Sequence, residues 1–170
     1  MPIVYYREVQ RMTRWWLLLI ILGVSALMWY EFIVQTVLGK PFGTNPMPDP
    51  MMIVFVIIFG IILPTFFMAM RLTCAVKKDG LYVRVFPFHL HPHCFEWGEI
   101  SSCKVMTYRP IVRFGGWGIR TDLRGNKAYT VSGNRGIEIL LRSGKVIVIG
   151  SRHAATLKKA MGQARIDSSK

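Results

Sequence analysis

The chain has 170 residues, 52% of them hydrophobic, and a formal charge of +13. One soluble domain of this length rarely holds both properties, so apolar residues and charge are expected in separate segments. The composition therefore excludes an ordinary soluble domain spread over the whole chain.

The segregation begins near the N-terminus. A tail with Arg7, Arg11 and Arg14 against Glu8 precedes residues 15–38, which hold a single charge, Glu31, and residues 51–70 hold none. At ~1.5 Å per residue either run matches the ~30 Å hydrocarbon core of a bilayer. Backbone groups in lipid must be satisfied within their own segment, so both runs are expected as helices. The prediction is an N-terminal region, residues 1–70, forming a transmembrane hairpin with helices about 15–38 and 51–70. A cleaved signal peptide is the alternative; it is disfavoured because the apolar run exceeds the ~7–15 residues of a signal core and a second span follows. Pro41, Pro46, Pro48 and Pro50 make the connector an extended turn. Arg71, Lys77, Lys78 and Arg84 follow the second run, whereas the connector has only Lys40, balanced by Asp49. Positive-inside bias predicts a multi-pass protein of the inner (cytoplasmic) membrane with both termini cytoplasmic.

Glu31 is a candidate for a proton path or an interhelical bond. Its position beside Trp29 and Tyr30, an aromatic belt, favours a side chain that reaches toward the interface. Pro64 is expected to kink the second helix, and Gly60 to admit the first helix around Gly23, Ser25 and Ala26.

Residues 71–170 contain 18 Lys and Arg against 6 Asp and Glu, hence +12 of the charge. Alternating β-formers end repeatedly in turn signals, namely Asp79-Gly80, Gly125-Asn126, Gly133-Asn134 and Ser143-Gly144. The pattern predicts strands near 71–77, 80–87, 93–97, 100–108, 117–123, 127–133, 136–142 and 145–150. Ala154, Leu157, Met161 and Ala164 then recur at helical spacing after Ser151, an N-cap, which predicts a helix about 152–165. The expected architecture is an antiparallel meander, curled into a partial barrel and capped by the C-terminal helix.

This order resembles the pleckstrin-homology-like (PH-like) domains of bacteria and archaea. The local phrases carrying the resemblance are Leu-Tyr-Val-Arg-Val-Phe-Pro at 81–87, Phe95-Glu96-Trp97-Gly98-Glu99-Ile100, Gly116-Trp117-Gly118-Ile119-Arg120, Ala-Tyr-Thr-Val-Ser-Gly at 128–133 and Lys-Val-Ile-Val-Ile-Gly at 145–150. The resemblance spans about residues 71–162. It implies a bent antiparallel sheet with a capping helix, and a non-catalytic domain that binds proteins or lipids at a membrane. It carries no catalytic residue across.

The residues give no independent sign of an enzyme. Asp79, Glu96, Glu99, Asp122, Glu138 and Asp167 show no pairing that would separate acid from base roles. Gly115-Gly116-Trp117-Gly118 leads into a strand and lacks the Lys-Ser/Thr ending of a phosphate loop, so a bulge or close backbone approach is expected there. His89, His91 and His93 recur at period two and would share one face of a strand, where Cys94, or Cys74 and Cys103 from neighbouring strands, could complete a tetrahedral metal site. Pro87 and Pro92 interrupt that strand, and a hairpin tip that collects polar rings is the structural alternative. No cofactor is expected, a metal at the histidine segment being the exception, and the cysteines are expected as free thiols.

Arg109, Arg113, Arg120, Arg124, Arg135 and Arg142 form the candidate partner- or lipid-binding surface. Each positive charge near an anionic leaflet is worth ~1 kcal/mol. Nucleic acid is not expected as a partner, because no reader motif accompanies the basic residues. The sequence thus predicts a non-enzymatic membrane protein whose cytoplasmic domain mediates assembly with, or regulation of, a larger membrane complex. An anionic-lipid-binding or membrane-sensing module is the first alternative, and a metal-binding accessory protein is the second.

Overall fold

The computed structural model describes residues 3–12, 15–41, 43–122 and 125–168. The chain divides into two compact units, Thr13–Ala69 and the pair of segments Met1–Met12 and Met70–Lys170.

The first of these units is helical. Helix α1 (Trp15–Phe32) continues as a π-helical turn, Ile33–Val37; α2 (Asp49–Phe55) runs through a second π-helical stretch, Val56–Ile62, into α3 (Leu63–Ala69). Together they make two helices, Trp15–Val37 and Asp49–Ala69, long and apolar enough to cross a membrane. The widened turn has a local cause. Pro64 brings no N–H, so the carbonyl of Gly60, four residues earlier, has no donor there. That carbonyl instead accepts from Ser25 Oγ at 2.9 Å and from Trp29 Nε1 at 3.3 Å on the other helix. The expected approach at Gly60 is therefore also a polar link. At the far end Gln35 Nε2 donates to the carbonyl of Met47 and to Asp49 Oδ1.

The second unit is mostly β. Strands β1 (Val4–Arg11), β2 (Arg71–Lys77), β3 (Gly80–Phe86) and β4 (His93–Glu96) form an antiparallel sheet in that order. Strands β5 (Ile100–Thr107), β6 (Gly118–Thr121), β7 (Lys127–Thr130), β8 (Arg135–Leu141) and β9 (Val146–Gly150) form a second sheet ordered β5-β8-β9-β7-β6. A short helix, α4 (Pro110–Phe114), joins β5 to β6, and α5 (Ala154–Ser168) closes the chain.

Alternation sets what is buried. Leu72, Val76, Leu81, Val83 and Val85 of the first sheet are fully buried, as are Ile137, Ile139, Val148 and Ile149 of the second. Helix α5 packs on strands of both sheets and buries Ala154, Leu157, Met161 and Ala164. The expected strands and helix are present; besides the unexpected short helix α4, two features depart from the sequence expectation. Residues 4–11, taken as a tail, are a full strand paired with β2 from Val4↔Lys77 to Arg11↔Arg71. The second sheet is not a simple meander, because the β8–β9 hairpin enters between β5 and β7 and so pairs β9 with β7 in parallel.

Strand β1 is tied down by more than its ladder. Glu8 accepts from Ser151 Oγ at 2.6 Å, from the N–H of Arg152 at 2.9 Å and from the Tyr6 hydroxyl at 2.7 Å. Gln10 Nε2 donates to the carbonyl of Gly150 at 2.8 Å, and Tyr5 Oη donates to Asp167 at 3.1 Å. A polar face of β1 is thereby spent on holding β9 and α5.

Candidate anion-binding face

The described arginines singled out in the sequence lie on several different elements. Arg113 donates to Glu138 at 3.0 Å, and Lys104 reaches the same carboxylate at 2.8 Å. Burial alone would raise the Glu138 carboxyl, but these two cations hold it below its usual range. Arg113 is thus a structural partner. Arg109 precedes α4, and Arg120 lies on β6 with its Nε donating to the Trp117 carbonyl at 3.3 Å. Arg135 opens β8 and Arg142 follows its end, seven residues at ~3.3 Å each, or about 23 Å away. Arg124 lies outside the described residues.

The rings of the histidine segment are spread over different packing contacts. Among the described residues no three His, Cys, Asp or Glu side chains are grouped to hold an ion. The His89 ring instead meets Tyr129 at 5.7 Å, and His93 meets Phe95 at 4.7 Å. Burial, helped by His93 and Lys127, lowers the His89 pKa. All three cysteines are free; burial pushes the Cys74 thiol up to about 12. Glu31 is half-buried on α1.

A different set of cations lines one face of a sheet, with Arg71 and Lys77 at opposite ends of β2, about 20 Å apart, and Arg7 and Arg84 on the strands either side between them. The strand period that turns Leu72, Cys74 and Val76 inward turns Arg71, Thr73, Ala75 and Lys77 to the opposite face of β2. The ladder then sets Arg7 beside Ala75, Val9 beside Thr73, Arg84 beside Thr73 and Tyr82 beside Ala75. The result is an open cleft of about 360 Å³ lined by Arg7, Arg71, Lys77 and Arg84, with Thr73, Tyr82, Val9 and Ala75 among its walls. No carboxylate lines it, and none of the four cations forms an ion pair among the described residues.

Aromatic rings position these charges. Arg71 and Arg84 lie over the Phe86 ring at 5.0 and 5.6 Å, and Lys77 lies over Tyr82 at 4.2 Å. Arg84 Nε also donates to the carbonyl of His89 at 3.1 Å. The guanidinium groups keep further N–H donors for a ligand, since each carries five. Neighbouring like charges along the cleft, Arg7 and Arg84 above all, repel each other, and a bound anion relieves that repulsion while accepting their hydrogen bonds.

Sequence reasoning missed this face because the cations come from three strands, one of them unrecognised. The period-two series Arg7-Val9-Arg11 and Arg71-Thr73-Ala75-Lys77 was the available signal. No curated protein and no solved structure matches the chain. One family does match, over residues 2–167, and the chain belongs to it: the family of unknown function DUF6141.

Proposed function

We propose that the protein is a two-span integral membrane protein of the inner membrane whose β unit is a non-enzymatic module binding phosphate-bearing anionic groups at the cytoplasmic surface. The observation that carries this reading is the cleft of four cations, free of carboxylates, on strands that run directly into the two apolar helices.

Chain connectivity supports the topology. The helices are an insertion between β1 and β2, and the N–H of Met12 donates to the carbonyl of Met70 at 3.4 Å. A segment whose two ends meet at one point must leave and return on the same side of a bilayer, which requires an even number of crossings. The lysine and arginine distribution makes that side cytoplasmic.

The non-enzymatic part rests on how the acids are used. Glu8, Asp79, Asp122, Glu138 and Asp167 are each engaged in bonds that hold turns or strands together. The PH-like resemblance belongs to the same proposal. Two β-sheets with α5 packed on both support it, while the added strand β1 and the parallel β7–β9 pair depart from a simple bent meander.

A second reading, assembly with or regulation of a larger membrane complex, is favoured by the edge position of β1. Val4 and Val9 there are about half exposed beside the cations, and an edge strand accepts an added strand.

The test uses full-length protein in phosphatidylcholine nanodiscs, with thermal unfolding followed against added inorganic pyrophosphate, and in parallel nanodiscs containing phosphatidylglycerol. A ligand at 100 times its Kd stabilises by ~2.7 kcal/mol. The expected result is a rise in Tm with either anion that is lost at ~0.5 M salt and in Arg7→Gln/Arg84→Gln. An equal rise in wild type and variant would refute the cleft as the site. A pull-down from native membrane that yields a stoichiometric protein, with no response to anions, favours the second reading.

A further inference from the structure

The segment between β3 and β4 runs Pro87-Phe88-His89-Leu90-His91-Pro92. It is held by its middle residue. The N–H of His89 donates to the Val85 carbonyl at 2.7 Å, its own carbonyl accepts from Arg84, and its ring packs edge-on against Tyr129. The residues on either side face outward, Phe88 being 54% and Leu90 73% exposed. An ordered turn thus presents two large apolar side chains to the surroundings.

The strand register places that turn. It leaves β3 directly after Phe86, which pairs with Arg71, and Arg71 pairs on its other side with Arg11. Arg71 follows Ala69, the last residue of the second apolar helix, by two residues, a reach of at most ~7 Å. The turn therefore springs from the end of the first sheet through which both connections to the helices pass. Its last residue, Pro92, lines the cationic cleft.

We infer that Phe88 and Leu90 form an interfacial anchor that enters the headgroup–acyl boundary of the bilayer, with Arg71 and Arg84 beside it to meet anionic headgroups. The inference rests on the reading of the two helices as spans, and it adds a third attachment to them. The bilayer is the occupant because apolar tips flanked by cations match the boundary between acyl chains and anionic phosphates. The chain also brings this end of the sheet to within a few residues of both apolar helices. The histidine segment gains a role as the frame of the turn, through the bonds and ring contact of His89.

The experiment reconstitutes the full-length protein in mixed phosphatidylcholine and phosphatidylglycerol vesicles. A spin label is placed at Leu90→Cys, Phe88→Cys, Ser143→Cys or Leu27→Cys, each in a Cys94→Ser/Cys103→Ser background; Cys74 is buried and stays unlabelled. Power saturation with oxygen and with a water-soluble nickel chelate reports depth. The labels at 88 and 90 are expected to be shielded from the chelate several-fold relative to position 143, at a depth between positions 143 and 27. If they are as open to the chelate as position 143 while position 27 is shielded, the anchor is overturned and the spans stand. If position 27 is open as well, the spanning reading fails and the anchor fails with it.

Discussion

The bond between the two apolar helices makes a prediction that a change at a third residue should switch off. Ser25 Oγ and Trp29 Nε1 both donate to the Gly60 carbonyl, and Pro64 supplies no N–H at the fourth residue after it. A side-chain hydrogen bond between membrane helices averages ~0.6 kcal/mol and reaches ~1.7. Ser25→Ala alone should cost about 0.5–1.5 kcal/mol, because Trp29 still serves the carbonyl. Removing both donors with Ser25→Ala/Trp29→Phe takes away both cross-helix partners of that carbonyl, and on the spanning reading an unsatisfied backbone group in hydrocarbon costs several kcal/mol. The double variant should therefore exceed the sum of the singles by about 1–2 kcal/mol, well above the ~0.3–0.5 expected of independent sites. Pro64→Ala restores an N–H four residues after Gly60, so in that background the coupling should fall to within error of zero. Equilibrium unfolding of the full-length protein in bicelles, run as two double-mutant cycles, measures both quantities. Additive costs with proline present, or the same coupling after Pro64→Ala, would refute the reasoning.

Three further outcomes are expected. Glu8→Ala removes the acceptor for Ser151, Arg152 and Tyr6, and hydrogen bonds to a charged group are worth ~1.5–3 kcal/mol. Partial exposure reduces the total to about 2–4 kcal/mol, seen as a lower Tm and as loss of amide-exchange protection along β1; unchanged protection would contradict the role given to Glu8. A Cβ at Gly136 would lie 2.2 Å from the Ile149 carbonyl oxygen, so Gly136→Ala must push β8 from β9 and cost about 3 kcal/mol or more, whereas Gly98→Ala, with open space around it, should be tolerated when both are compared by chemical denaturation. Because the Glu138 carboxyl is held below its ordinary 4.5, its contribution is complete above that pH and is lost as pH falls through the lower folded value. Glu138→Gln should flatten that acid limb of the stability profile, and profiles that stay parallel would show that the Lys104–Glu138–Arg113 group adds nothing.

Much of this architecture was legible in the sequence, and the parts that were not share a cause. Leu81, Val83 and Val85, or Ile137 and Ile139, announce their strands because alternation and a following turn lie within one short window. Strand β1 has the same alternation in Tyr6, Glu8 and Gln10, but its partner is some sixty residues away across the helical insertion, and the nearby arginines suggested a topogenic tail. Helix α4, five residues opened by Pro110, is too short to display a period. Partner choice was the second limit. Nothing local in Lys127–Thr130 states that it will lie parallel to Val146–Gly150. The candidate site suffered most from this limit, because Arg7, Arg71 and Arg84 share a face only once the register of three strands is known. Conversely, arginines that look alike in sequence have different fates: Arg113 is absorbed by Glu138, and Arg135 and Arg142 stand at opposite ends of β8.

The central claim is that the two apolar helices cross a membrane and hold the β unit on its inner side. Cysteine accessibility in intact cells tests it most directly, with Asn45→Cys in the connector and Ser143→Cys in the β8–β9 turn, each in a Cys94→Ser/Cys103→Ser background, treated with a membrane-impermeant maleimide. The account predicts labelling at position 45 in intact cells, and at position 143 only after the membrane is permeabilised. Labelling of position 143 from outside, or protection of position 45 together with recovery of the protein in a detergent-free aqueous extract, would contradict it.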